Sequence, residues 1–132
     1  SRFWNQPELL YLKARVECLD DPISKYRELY KVVEYAYREL KGRKGSRKSS
    51  NSKIQPFDKD LAKYVDLSPE EIRDLRLVRN DCSHPYGKLL THRNLKRFKQ
   101  LEAALPKLKR VAEKIENVLL QAQKEHTTWI SS

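Results

Sequence analysis

At 132 residues and a formal net charge of +10, the chain has room for one compact domain with a real core and is too short for two well-packed ones. Hydrophobic residues make up 39 % and charged residues 35 %, with only three glycines, which favours a soluble helical protein and argues against a sheet-rich or disordered one. No apolar run approaches the roughly 20 residues that cross a bilayer, and SRFWNQPELL lacks the charged-then-apolar layout of a signal peptide, so the expectation is a cytoplasmic protein with no membrane contact.

In chain order, Leu9, Leu12, Val16 and Leu19 predict a first helix from Pro7 to about Leu19. Asp20-Asp21-Pro22 reads as a stop and restart, with Asp21 as N-cap and Pro22 at the first position of a second helix reaching about Leu40. Its core side is Ile23, Tyr26, Leu29 or Tyr30, Val33, Ala36 or Tyr37, and Leu40. Four tyrosines lie here, at 26, 30, 35 and 37, and they read as core-edge residues rather than a base-stacking platform. Residues 41–53, KGRKGSRKSSNSK, hold six cations and no apolar or acidic residue, the composition of a flexible loop. That loop is either a tether for nucleic-acid phosphates or a solvated linker.

A short third helix spans Phe57 to about Tyr64, with Phe57, Leu61, Tyr64 and Val65 inward. Next comes SPEEIRDLRLVRNDCSHPY, residues 68–86. Ser68 is a good N-cap, Pro69 suits the first helical position, and Glu71 completes a capping box. Ile72, Leu75, Val78 and Cys82 form an apolar stripe. The opposite faces carry Arg73, Arg76, Arg79, Asn80, Ser83 and His84, a basic and polar set that a merely structural helix would not require. After KLLT a final long helix carries Leu95, Phe98, Leu101, Leu105, Leu108, Ala112, Ile115, Leu119 and Ala122 at threes and fours. Pro106 should kink or split it near Leu105. The predicted architecture is all-α, a single domain over 1–132 built as a bundle of four or five helices.

Cys18 and Cys82 make no disulfide framework, and both are expected to be small buried apolar residues. With His84 and His92 they could be imagined as a zinc site, but Cys-x-His is not a usual ligand spacing and no supporting pair exists. Ser83 and His84 as a hydrolase pair fare worse, since sequence neighbours do not easily form a nucleophile–base hydrogen bond. The chain has no methionine, which suits a piece of a larger protein.

The positive charge is concentrated. Residues 1–40 sum to 0, 41–53 to +6, 54–72 to −3, 73–110 to +8 and 111–132 to −1. One basic region is the loop and the other wraps the helix at 68–86, the pattern expected if a polyanion approaches there. Cations that merely keep a bundle soluble are the plainer explanation.

Arg79 and His84 lie five positions apart, about 140° around an ideal helix, so regular geometry does not bring them together. Pro85 disfavours helical backbone at His84, ending the helix there and freeing the imidazole to turn away.

An all-helical chain carrying Arg79-Asn80-x-x-x-His84 at the end of its penultimate main helix, followed by a long last helix, resembles the HEPN superfamily. Tyr86 extends the likeness to the Arg-x4-His-x-Tyr branch of toxins paired with minimal nucleotidyltransferases. The likeness covers most of the chain in architecture and about eight residues in motif. It implies a metal-independent endoribonuclease that needs no cofactor and acts as a homodimer with two motifs facing each other, a toxin or defence effector. By that likeness Arg79, Asn80 and His84 are catalytic. Arg76, Ser83, Lys88, Arg93, Lys96 and Arg97 are candidates for RNA contacts, Tyr86 is a candidate acceptor of nucleotidyl groups, and the partner would be an antitoxin or nucleotidyltransferase. His84 would serve as acid or base, because imidazole titrates near neutrality. Arg79 would give a fixed cationic fork to the phosphate. The rival expectations are a non-catalytic RNA-binding or dimerisation module and a helical adaptor meeting an acidic protein.

Overall fold

Helix starts and stops in this chain are set by local hydrogen bonds. The computed structural model describes residues 6–42, 52–82 and 95–131, with side chains over 9–42, 52–82 and 96–125. The described residues form five helices and no strand: α1 Gln6–Glu17, α2 Pro22–Lys41, α3 Pro56–Val65, α4 Pro69–Cys82 and α5 Leu95–Ser131. The predicted all-α bundle with a long final helix is what the structure has. No helix among these residues is long and apolar enough to cross a membrane.

Asp21 caps α2 as expected, its carboxylate accepting from the N–H groups of Ile23 and Ser24 at 3.4 and 3.0 Å. Partial burial pushes the Asp21 carboxyl up, but the Ser24 hydroxyl and the two N–H groups outweigh it and hold the group below its usual range. Lys41 belongs to α2 rather than to the basic loop. Gly42 then closes the helix in the left-handed region (φ 67°), its N–H donating to the Arg38 carbonyl at 2.7 Å. Residues 43–51 of the expected loop lie outside the described residues.

Before α3, the Gln55 N–H donates to Asp58 Oδ2 at 2.8 Å. Asp66 ends that helix at φ 57°, a left-handed conformation that Asp tolerates better than most residues. The expected capping box of α4 is present: Glu71 N–H donates to Ser68 Oγ at 3.1 Å and Ser68 N–H to Glu71 Oε1 at 3.2 Å.

α2 is the central helix. It packs against α1, α4 and α5 and buries nearly every side, leaving Lys31 and Arg38 as its exposed positions. Its four tyrosines are core residues. Tyr26 donates to the Leu75 carbonyl of α4 at 2.6 Å, and Tyr37 donates to Asp60 of α3 at 2.7 Å with its ring edge-on to Phe57. α5 packs mainly along α2, and its Leu101, Leu108, Val111, Ala112, Ile115 and Leu119 are all buried.

Two expectations are corrected. Of the two outcomes expected at Pro106, a kink or a split, the split does not occur: the last helix runs unbroken from Leu95 to Ser131. The proline is exposed, while Leu101 on one side and Leu108 and Val111 on the other are fixed in the core, so burial on both sides outweighs one missing backbone bond. Cys18 is exposed, since it falls just past the end of α1, whereas Cys82 is buried as expected.

Candidate functional site

The buried face of α4 is Ile72, Leu75, Arg76, Arg79 and Cys82, a spacing of threes and fours that puts two arginines in line with the apolar stripe. A desolvated guanidinium is tolerated only when paired and hydrogen-bonded, and each arginine meets that condition differently.

Arg76 is fully enclosed. Its Nη2 donates to Asp58 Oδ2 at 3.1 Å and to the Lys53 carbonyl at 3.0 Å, and both members of the ion pair have zero exposure. Arg76 is therefore not an RNA contact. It clamps α4 to α3 and to the segment that leads into α3, a structural need that the basic-face reading of α4 left out.

Arg79 lies one turn further on, in the last turn of α4, and is 5 % exposed. Nη1 donates to Glu34 Oε1 of α2 at 3.2 Å, Nε donates to Asn80 Oδ1 at 3.1 Å, and the guanidinium carbon stands 4.6 Å from the centre of the Tyr30 ring. Glu34 retains 25 % of its side-chain exposure against 6 % for Arg79, so solvent approaches this pair mainly from the carboxylate side.

The structure thus places Arg79 and Asn80 together. Ser83, His84, Tyr86, Lys88 and Arg93 lie outside the described residues, as do Pro85 and His92. Of the remaining RNA-contact candidates, Lys96 is exposed at the start of α5, and Arg97 pairs with Asp81 of α4 at 3.2 Å, joining the two helix ends.

Sequence reasoning missed Glu34 and Tyr30. Both sit on α2 four residues apart, hence on one side of it. Nothing in the sequence marks them as a pair with Arg79, because that contact depends on how α2 and α4 cross.

A cavity of about 550 Å³ opens between α4 and α5, lined by Leu75, Leu77, Val78, Ala103 and Ala104 with Glu71, Asp74, Asp81, Gln100 and Lys107. It occupies a different face of α4 from Arg79. Its carboxylates are engaged within the chain, Glu71 with Lys107 at 2.6 Å, Asp74 with Arg73 at 3.2 Å and Asp81 with Arg97. Neither Arg79 nor Asn80 lines this groove.

No protein-family model, curated protein sequence or solved structure matches the chain.

Proposed function

We propose that the chain is a HEPN-type, metal-independent endoribonuclease that acts as a homodimer. The observation that carries this reading is Arg79, a guanidinium fixed by Glu34, Asn80 and Tyr30 in the last turn of α4, five residues before His84. Its permanent charge suits it to a phosphate whose negative charge grows in the transition state.

The reaction needs a proton acceptor, a proton donor and that cation. A base removes the proton of a ribose 2′-OH; the 2′-oxygen bonds to the adjacent phosphorus as the bond from phosphorus to the 5′-oxygen breaks; the leaving 5′-oxygen takes a proton. The products are a 2′,3′-cyclic phosphate and a 5′-OH. His84 fills the acid or base role in this scheme, and the second subunit's motif faces the first across one cleft. The concentration of positive charge in residues 73–110 supports RNA as the polyanion. A toxin or defence effector with an antitoxin or nucleotidyltransferase partner, and Tyr86 as its modified residue, are extensions of the same reading.

The test is cleavage of single-stranded RNA in EDTA by wild type and by His84→Ala, with the cyclic phosphate as the product sought. Arg79→Ala is the weaker variant, because it strands Glu34 against a hole in the α2–α4 contact and lowers stability as well as activity. Burial of Arg79 favours a second reading, a non-catalytic RNA-binding or dimerisation module in which Arg79 mainly joins α2 to α4. Salt-dependent RNA binding without cyclic phosphate would select it.

A further inference from the structure

The Arg79–Glu34 pair holds a carboxylate where a phosphate would have to bind. Arg79 is enclosed by the Tyr30 ring, by Asn80 and by the core, and the more exposed member of the pair is Glu34. An anion arriving from solvent to meet the guanidinium therefore enters on the side that Glu34 occupies. Two anions cannot share one donor edge without repelling each other, and a phosphodiester and a carboxylate both match the guanidinium fork.

We propose that Glu34 is a positioning residue that stands in for the RNA phosphate: in the unliganded protein it holds Arg79 oriented and neutralised, and a phosphodiester exchanges for it when RNA binds. This rests on the reading of Arg79 as the phosphate contact. The arrangement keeps a nearly buried cation paired in both states, which explains how Arg79 can be enclosed without RNA and still be available to it. It also makes phosphate binding at this site weaker than an unopposed arginine would allow.

The experiment measures binding of a 2′-O-methyl RNA oligomer, which lacks the attacking hydroxyl, across a salt series. Glu34→Gln keeps the shape and removes the charge. It should bind about three- to tenfold tighter than wild type at low salt, with a similar slope of log affinity on log salt, because Arg79 meets the same phosphate in both proteins. Glu34→Asp, which keeps the charge, should stay near wild type. The gain should vanish when Glu34→Gln is combined with Arg79→Gln. A merely structural carboxylate predicts lower thermal stability with unchanged affinity, and that result, or a gain that survives loss of Arg79, overturns the proposal.

Because a variant can lose its fold, the exchange is also read in wild type: the carboxyl carbon resonance of Glu34 should move as RNA saturates the protein. A resonance that stays still at saturation, or no RNA binding at all, overturns the proposal too. Cleavage in EDTA separates the two readings. Wild-type cleavage with unchanged Glu34→Gln affinity removes the exchange and leaves the ribonuclease standing, whereas tighter Glu34→Gln binding without cleavage keeps the exchange and selects the RNA-binding module.

Discussion

Asp58 shows how much one buried carboxylate can do. It accepts twice from Arg76, at 3.3 Å from Nε and 3.1 Å from Nη2, and also accepts the Gln55 N–H that begins α3. Removing one member of a fully buried pair leaves a naked charge, so Asp58→Ala should cost about 3–5 kcal/mol, while replacing Asp58 and Arg76 together by apolar residues of similar size should recover most of it. Urea denaturation of the two variants beside wild type checks this, and equal loss in the single and double variants would contradict it. Cys82 and Tyr26 make a second residue-scale prediction. Burial, then Asp81, raise the Cys82 thiol from 9.0 to about 12, and burial, then Tyr30, raise the Tyr26 hydroxyl well above 10.0. Both groups hold their protons longer in the folded state, so their stabilising contribution is complete below the unfolded values and is lost as pH climbs above about 9. The denaturation midpoint should fall on the alkaline side, and native protein at neutral pH should titrate with a thiol reagent at Cys18 alone. These residue-scale facts were the least legible in the sequence. Arg76 reads as surface charge until Asp58 is known to face it, and that pairing spans 18 positions between separate helices.

At the scale of elements, the sequence was far more informative, because caps are local. Asp21-Pro22 and Ser68-Pro69 with Glu71 start α2 and α4 through hydrogen bonds to N–H groups two or three residues on, so the signal and the structure share one short stretch. Splitting at Pro106 failed for the opposite reason: the local cost of the proline is real, but burial of the helix on both sides of it outweighs that cost. The cost should therefore be recoverable. Proline is about 3 kcal/mol less favourable than alanine inside a helix, and the side chain here is exposed, so Pro106→Ala should raise the melting temperature. An unchanged or lower value would mean that the core depends on the path the proline imposes on α5.

For the whole molecule, the all-α class and the long last helix were readable from periodicity, whereas the central place of α2 was not, its tyrosines having read as core-edge residues. The candidate site was readable only in part. Arg79 and Asn80 do adjoin each other, while the α2 half of the site, Glu34 and Tyr30, became visible only once α2 and α4 were seen to cross. The positive charge of residues 73–110 is also less available than its sum suggests, since Arg76 is sealed in the core against Asp58, and Arg79 and Lys107 pair with Glu34 and Glu71, carboxylates outside that segment. RNA affinity should therefore rest on fewer cations than the net charge implies and give a shallow salt slope. The most direct test of the account is incubation of wild type and His84→Ala with single-stranded RNA in EDTA, followed by analysis of the cleaved ends. The account predicts 2′,3′-cyclic phosphate and 5′-OH ends from wild type and none from a folded His84→Ala; equal products from both proteins, or none from wild type, would contradict it.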